Sequence, residues 1–188
     1  MSTTPPADLS SLRAWCGPLD FVFFWGHTGR SDVAVGKSCL SQWYPAPFVI
    51  DGVRYATTEH WMMAEKARTF GDDEARARVL GDEDPAAAKK AGRAVRGFDA
   101  ATWSARSFDV VCTGNLAKFS QHDALRAFLL GTGDTVLVEA SPVDAIWGIG
   151  LDENDPRARD VSAWRGENRL GFALMQVRAQ LRATHAAR

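Results

Sequence analysis

The chain has 188 residues, of which 46% are hydrophobic and 24% charged, and its formal net charge is −1. This composition is typical of one soluble globular domain with a sizeable core, and it excludes a protein that attracts nucleic acid or anionic membranes by its global charge. No apolar run approaches the roughly 20 residues needed to cross a bilayer, and the N-terminus lacks a secretory signal pattern, so we expect a cytoplasmic protein.

The predicted elements alternate short strands with longer helices. Proline and small polar residues near the start predict a disordered tail over 1–14, so the folded domain is expected at 15–188. Asp51 and Gly52 separate Phe48-Val49-Ile50 from Val53-Arg54-Tyr55, which predicts a hairpin with a two-residue type I′ turn. Further strands are expected at 19–26 and 135–140, and helices at 57–70, 73–80, 85–96, 100–121, 122–131 and from Asn168, a plausible cap, onward. We therefore predict an α+β fold, a single helix-dominated domain around a small, mainly antiparallel sheet.

The helix expected over 57–70 carries two charged residues on its apolar face. At 100° per residue, Glu59 and Lys66 fall on the side that should enter a core, whereas Glu65 falls on the opposite side with Arg68. Burying two charges costs several kcal/mol per ion, so this placement needs an explanation. Two interpretations remain open. In the structural one, Glu59 and Lys66 form a buried ion pair, or Lys66 extends along its stem to solvent. In the functional one, both are groups of an active site.

A second cluster follows the last predicted strand, in the segment EASPVDAIWGIG at 139–150. Asp144 precedes Trp147, which is followed by Gly148 and then by Gly150. Glycines permit close approach of the backbone to a ligand, and an aromatic ring beside them can stack on a base. The alternative is that Asp144 is a turn residue that bonds its own backbone.

Basic residues form the third cluster, on one face of the helix expected over 85–96. Such a face is usually only solvated, but Lys90 and Arg93 would hold phosphate if the face borders a pocket. Lys118, beside Phe119 in an apolar helix, is a weaker isolated signal. The three cysteines and four histidines lack metal-site or disulfide spacing, so we expect no metal and no cofactor.

Taken together, these motifs resemble the NADAR family, also called YbiA-like. The resemblance runs from about residue 21 to 183 and rests on the order and spacing of short blocks: Leu40-Ser41, Trp43-Tyr44, Thr58-Glu59-His60, Ala64-x-Lys66, Ala88 to Gly92-Arg93, Trp103, Lys118-Phe119, Leu137-Val138-Glu139, Asp144-x-x-Trp147-Gly148-x-Gly150 and Asn168-x-Leu170-Gly171. Two positions depart from the family pattern, which often has Asn at Gln42 and Gln at Met63. Both departures bear on which base is preferred.

The resemblance implies an N-glycosidase that separates a ribose anomeric carbon from a base nitrogen. The expected substrate is ADP-ribosylated guanine in nucleosides or nucleic acid, so ADP-ribosylated DNA or RNA is a candidate partner. The alternative substrates are phosphoribosylamino-pyrimidine intermediates of riboflavin synthesis. Alternatives of another class are a module that binds ADP-ribose without cleaving it, and a purely structural role for the charged pair.

The same resemblance implies the site residues. Glu59, Lys66, Asp144, Trp103 and Trp147 match functional or pocket positions of the family. From the chemistry, we expect Glu59 to stabilise an oxocarbenium-like sugar or activate water, and Asp144 to orient the ribose or share the acid–base work. For Lys66 a second route is open, in which its amine captures the opened sugar as a Schiff base. The other expected contacts are with substrate, at Trp43, Lys90, Arg93, Trp103, Lys118, Trp147, Gly148 and Asn168.

Overall fold

The computed structural model of the chain describes residues 6–27 and 35–186. These residues are grouped in two compact units. The central unit is Gln42–Asp123, and the terminal unit combines Met1–Ser41 with Ala124–Arg188. Residues 1–5 of the expected tail and the loop residues 28–34 lie outside the described part of the chain.

Helices account for most of the described residues. In chain order the elements are α1 (Leu9–Arg13), β1 (Phe21–Phe24), β2 (Phe48–Ile50), β3 (Val53–Tyr55), α2 (Thr58–Thr69), α3 (Asp73–Leu80), α4 (Pro85–Arg93), α5 (Ala100–Gln121), α6 (Asp123–Gly131), β4 (Val136–Glu139) and α7 (Arg169–Ala186). Short 3₁₀ helices cover Lys37–Leu40, Pro156–Arg159 and Val161–Ala163.

The predicted hairpin is confirmed in the central unit. Strands β2 and β3 pair antiparallel, with Phe48 opposite Tyr55. Asp51 and Gly52 between them have positive φ angles of 50° and 76°, as both central residues of a type I′ turn require. The Phe48 and Tyr55 rings stack with centroids 5.8 Å apart, and both are buried, so one face of the hairpin enters the core.

Helix α2 is buried almost all round. The Thr57 hydroxyl accepts the amide of His60 and so caps the N-terminus of the helix. Helices α3, α4 and α5 all pack against α2, so every residue of Thr58–Glu65 is buried. The expectation that Glu65 faces solvent is therefore wrong: its side chain accepts a 2.6 Å hydrogen bond from Arg68 while Glu65 itself is 7% exposed.

Two glycines let neighbouring helices approach α2 closely. A Cβ at Gly114 on α5 would lie 2.3 Å from Cδ1 of Trp61, and a Cβ at Gly92 on α4 would lie 2.0 Å from Sδ of Met63. Trp61 also donates its indole N–H to the carbonyl of Val110 at 2.7 Å. Both helices are thus held directly against the sides of α2.

Replacing Gly114 with alanine should destabilise the fold by about 1–3 kcal/mol, because the new methyl group meets a buried, rigid indole ring. Urea unfolding measures the change. Gly131→Ala is the matched control, since a Cβ at that helical glycine meets nothing within 4 Å. Alanine there should leave stability unchanged or raise it, because it is the better helix former. Equal losses in the two variants would contradict the packing explanation.

The terminal unit is built on a parallel strand pair. Strand β1 pairs with β4, and Phe21 lies opposite Val136. Helix α7 packs on β4 so closely that a Cβ at Gly171 would lie 2.0 Å from the carbonyl oxygen of Leu137. Leu137 and Leu170 are completely buried, so the core of this unit lies between β4 and α7.

The structure differs from the expected boundaries at two places. Helix α1 lies within the expected tail, and its Leu12 is buried. Helix α4 ends at Arg93 rather than 96, so Arg96 leaves the helix and its guanidinium binds the Asp72 carboxylate at 2.9 Å. Gly97, which has a left-handed φ of 70°, lies four residues beyond the end of the helix.

The predicted α+β class, dominated by helices, is confirmed. The strands form two separate pairs, of which the hairpin is antiparallel as expected and the β1–β4 pair is parallel. The parallel pair was missed because β1 and β4 are distant in sequence and no turn signal connects them. Among the described residues, no helix is long and apolar enough to span a membrane.

Candidate active site

Glu59 is fixed in the first turn of α2 and is only 3% exposed. The carbonyl oxygen of Gln42 accepts hydrogen bonds from the Glu59 amide and from the Thr58 hydroxyl, each at 3.0 Å. These bonds hold the turn that carries the carboxyl group. The first turn of a helix also favours a negative charge. The inward orientation predicted from helical periodicity is therefore confirmed for Glu59.

His60, the next residue, has a structural role. Its Nε2 lies 3.0 Å from the carbonyl oxygen of Asp82, which can only accept, so Nε2 carries the proton. Its Nδ1 then accepts the Thr57 hydroxyl at 2.9 Å. Burial lowers the pKa of His60, which favours this neutral ring. With both nitrogens occupied, His60 is not available for proton transfer.

Buried amides connect α5 to the segment that precedes α2. The Asn115 side chain donates to Oε1 of Gln42 and to the carbonyl of Val111, both at 2.9 Å. The Gln42 Nε2 in turn lies 3.9 Å from Sδ of Met62. Within the described part of the chain, Oδ1 of Asn115 is buried and accepts no hydrogen bond. A buried acceptor of this kind calls for an explanation such as a water or a ligand.

Lys118 lies one turn beyond Asn115 on α5 and is completely buried. Its Nζ lies 5.0 Å from the ring centroid of Phe119 and 5.6 Å from that of Tyr44. Burial of an ammonium group costs several kcal/mol before its contacts are counted. The isolated sequence signal at Lys118 therefore corresponds to an energetically costly buried cation in the same unit as Glu59.

Lys66 lies two turns after Glu59, about 10.5 Å further along the axis of α2. Its side chain is half-buried, and its Nζ lies 4.0 Å above the ring centroid of Phe98. Burial, and then repulsion by the Arg93 guanidinium, lower the pKa of Lys66 below its ordinary value. A lowered pKa increases the fraction of free amine, which is the form that attacks a carbonyl carbon.

Arg93→Gln should raise the pKa of Lys66, because removing a nearby positive charge makes the ammonium form less unfavourable. The free amine then appears only at higher pH. We expect the ascending limb of kcat/KM against pH to shift to higher pH, with less activity at pH 7. Lys90→Gln is the control and should leave that limb in place. An unshifted limb in Arg93→Gln would contradict the electrostatic coupling.

One edge of α4 carries cations that face this region of α2. Arg93 acts on Lys66, and one turn earlier Lys89 places its Nζ 5.6 Å from the ring centroid of Trp43. Lys90 is exposed. Among the described residues, Lys66, Lys89, Lys90 and Arg93 form no ion pair with a carboxylate. Other cations of the same unit do, for example Arg54, Arg68 and Arg96. The edge is therefore available to an anion.

Trp103 lies at the opposite end of α5 from Lys118. It is half-exposed in the first turn of the helix, and its amide bonds the carbonyl of Asp99 at 3.1 Å. The fifteen positions between Trp103 and Lys118 correspond to about 22 Å along the axis. The two side chains therefore cannot contact the same atom group of a substrate.

In the terminal unit, Asp144 makes the turn that was expected as its structural alternative. Its Oδ1 accepts the amides of Ile146 and Trp147 at 2.9 and 2.8 Å. Within the described residues, its Oδ2 accepts no hydrogen bond. The Trp147 ring is half-exposed, and the guanidinium of Arg169 lies 5.1 Å from its centroid. Asp144 thus positions Trp147 and keeps one carboxylate oxygen for another use.

Gly148 and Asn168 have structural roles in the same unit. A Cβ at Gly148 would lie 2.8 Å from the carbonyl oxygen of Glu139, so the loop itself requires glycine there. Asn168 has a positive φ of 53°, accepts the Glu139 amide at 3.0 Å and donates to the Leu137 carbonyl at 2.9 Å. Its side chain therefore bonds strand β4, not the first turn of α7 as a cap. Substrate binding by these two residues stays a prediction.

Sequence reasoning missed several residues of the central unit. Asn115 gave no signal, because a single amide in an apolar helix has no distinctive spacing. Lys89 lies beside Lys90 in the basic helix, and neither its spacing nor its charge distinguishes it from its neighbours. Phe98 follows Gly97, and nothing in the sequence indicates that its ring reaches Lys66.

Comparisons with known proteins identify the family of the chain. The NADAR domain matches residues 23–182. The chain is 38% identical over 165 residues to N-glycosidase R617 of Acanthamoeba polyphaga mimivirus, which covers 85% of this chain and 95% of that protein. It is 34% identical over 135 residues to N-glycosidase YbiA of Escherichia coli, covering 72% of this chain and 76% of that protein. Riboflavin biosynthesis protein VVA0006 of Vibrio vulnificus is 33% identical over 142 residues, which cover 76% of this chain and 35% of that protein.

The fold is also found in a solved structure. The NMR structure of the E. coli protein YbiA matches with a TM-score of 0.71 and 28% sequence identity, over 89% of this chain and 88% of that chain. The match extends beyond single motifs to nearly the whole order of helices and strands. The family resemblance read from the sequence is therefore confirmed, and the chain belongs to the NADAR domain family.

Proposed function

We propose that the protein is an N-glycosidase that hydrolyses the bond between a ribose anomeric carbon and a base nitrogen, and that its substrate is ADP-ribosylated guanine. The observation that carries the proposal is the pair on α2: a buried carboxyl group, Glu59, followed two turns later by Lys66, a half-buried amine of lowered pKa. The names of two relatives, N-glycosidase R617 and N-glycosidase YbiA, support the reaction class.

Glu59 supplies the negative charge that the reaction needs. Cleavage of an N-riboside develops positive charge at the anomeric carbon, and a nearby carboxylate stabilises this charge or activates water. A buried carboxylate does this better than one in water, because the low local dielectric strengthens its interaction with the developing charge.

Lys66 supplies a nucleophile. The C1–O4 bond of the ribose first breaks with its electrons leaving on O4, which takes up a proton, while the base nitrogen forms a double bond to C1. The free amine of Lys66 adds to C1, and the electrons of that double bond return to the base nitrogen. The remaining C1–N bond to the base then breaks, its electrons leave with the base nitrogen, which takes up a proton, and the Lys66 nitrogen forms the new double bond to C1 with loss of a proton. The sugar is then held as an imine. Water adds to the imine carbon, the amine of Lys66 leaves, and the released aldehyde closes to ribose.

The cationic edge of α4 binds the phosphates of the substrate. Arg93 offers a planar fork of donors that suits phosphate, and Lys89 lies one turn away beside Trp43. Within the central unit, Trp43 is the candidate to stack on the base or the adenine. The roles of Lys90, Trp103 and Lys118, and those of Asp144, Trp147, Gly148 and Asn168 in the terminal unit, stay predictions.

Lys89→Ala should raise KM for a phosphorylated substrate several-fold and leave KM for the dephosphorylated form unchanged, because only the phosphate contact is lost. Lys90→Ala, a change of the same charge at the next position, should have a smaller effect since Lys90 points to solvent. Steady-state kinetics with both substrate forms measures the difference. Equal effects of the two variants on both forms would contradict a phosphate contact at Lys89.

Side-by-side turnover of two substrates tests the proposed function. Purified protein is incubated with ADP-ribosylated guanosine and, separately, with a phosphoribosylamino-pyrimidine, and the released base and sugar phosphate are quantified. We expect faster release of ADP-ribose. Faster turnover of the pyrimidine would favour the riboflavin-type reaction, which the named Vibrio vulnificus relative supports. Binding of ADP-ribose in a thermal shift without any product would favour a non-catalytic module.

A further inference from the structure

Phe98 is an aromatic residue that the proposed chemistry does not yet explain. It is 47% exposed, although it lies beside the core of the central unit. Its ring centroid lies 4.0 Å from Nζ of Lys66 and 5.4 Å from the ring centroid of Phe70, at an interplanar angle of 67°. The Phe98 ring thus makes an edge contact with the Phe70 ring, and its face lies against Nζ of Lys66.

The backbone that carries Phe98 is firmly anchored. The buried carboxylate of Asp72 accepts the Arg96 amide at 2.9 Å and its guanidinium at 2.9 Å. The Arg96 guanidinium holds the pKa of Asp72 well below its usual range. The carboxylate therefore stays charged near neutral pH, and its bonds to Arg96 are kept. Gly97 then turns the chain with a positive φ of 70°, which brings Phe98 over Lys66.

We propose that Phe98 is a positioning residue that holds the Lys66 amine in one place and shields one side of it from water. The inference rests on the proposed function, in which Lys66 is the nucleophile. A lysine side chain has four rotatable bonds, so an amine without a contact samples many positions. A ring in contact with the end of the side chain narrows this range in both protonation states, because it packs against the neutral amine and attracts the ammonium form.

The contacts distinguish this role from simple core packing. A core phenylalanine would be buried, whereas about half of Phe98 remains in contact with solvent. Isolated exposed aromatics are common and need no explanation by themselves. Phe98 differs because the bonds of Arg96 to the buried Asp72 carboxylate fix its backbone, a second ring fixes its orientation, and its face meets the one amine on α2.

Carbon-13 NMR of the full protein tests the proposal without any substrate. Lysine amines are dimethylated with ¹³C-formaldehyde and cyanoborohydride, and the Lys66 resonance is assigned by its absence in Lys66→Arg. Methyl groups above a phenyl face are shifted upfield by the ring current. We expect an upfield Lys66 signal in the wild type and in Phe98→Tyr, and loss of the shift in Phe98→Leu. The exposed Lys90 is the internal reference.

Kinetics provides the second measurement. Phe98→Leu should lower kcat about 10-fold with little change in KM, since the amine is misplaced while phosphate binding is intact, and Phe98→Tyr should restore it. A Lys66 resonance that is not shifted in the wild type, or one that stays shifted in Phe98→Leu, would overturn the inference. If no variant turns over substrate but the ring-current pattern is as expected, the contact stands and the proposed function fails.

Discussion

Glu59→Gln is expected to lower kcat by about 10²–10⁴-fold, the range that a carboxylate acting in acid–base catalysis typically contributes. Glutamine has nearly the same shape as glutamate, and the substitution leaves unchanged the amide of residue 59 and the Thr58 hydroxyl, which both bond the carbonyl of Gln42. The fold and KM should therefore change little. Initial rates with the better substrate of the turnover assay measure the loss.

Glu65→Gln is the matched control for this variant. Glu65 lies on the same helix and is buried to a similar degree, and its carboxylate pairs with the Arg68 guanidinium, which has no part in the proposed chemistry. We expect a small change in stability and nearly unchanged kcat. Full turnover by Glu59→Gln, or equal loss in both variants, would exclude a specific role for the Glu59 carboxylate in the chemistry.

The two glutamates also show what helical periodicity can and cannot predict. Periodicity placed Glu59 inward correctly, because one face of α2 had to enter a core. It placed Glu65 outward wrongly, because packing of α3, α4 and α5 around the helix leaves no solvent face over its first two turns. A one-helix argument assumes one packing partner, and the number of partners is a tertiary property that the pattern does not contain.

The hydrogen bonds around the candidate site illustrate a second limit. Gln42 and Asn115 are joined side chain to side chain across 73 positions of sequence. Neither residue belongs to a local motif with a physical signature, so only the folded chain shows the bond. By contrast, the hairpin turn, the helix caps at Thr57 and Asp99, and α5 itself depend on neighbouring residues, and they were predictable for that reason.

The loop at 141–150 shows that two interpretations of one residue can both apply. Sequence alone left Asp144 between a turn residue and a functional carboxylate. The structure uses Oδ1 for the turn. Since a carboxylate has two oxygens, this bond does not prevent a second role, and it orients the group that would perform it. The alternatives were therefore not mutually exclusive, a point that residue spacing alone cannot express.

Lys66→Arg should lower kcat on the order of 10³-fold or more, because arginine keeps the positive charge and the apolar stem but offers no free amine. The same reason predicts the loss of a covalent adduct. When wild-type protein turns over substrate in the presence of cyanoborohydride, reduction of the imine should leave the sugar attached to Lys66, which mass spectrometry of the peptide containing residue 66 detects.

Lys90→Arg is the control for the trapping experiment, since Lys90 is exposed and its replacement should leave the adduct and the inactivation intact. The results of the two experiments distinguish direct hydrolysis by water from hydrolysis through an imine on Lys66. If Lys66→Arg retains most of its activity and the wild type gives no adduct, the amine is a phosphate or carbonyl contact and the carboxylate of Glu59 performs the hydrolysis with water. If the adduct forms and Glu59→Gln accumulates it, the Lys66 amine forms the imine and the Glu59 carboxylate acts in its hydrolysis. Two groups that lie two turns apart on α2 can perform these two steps separately.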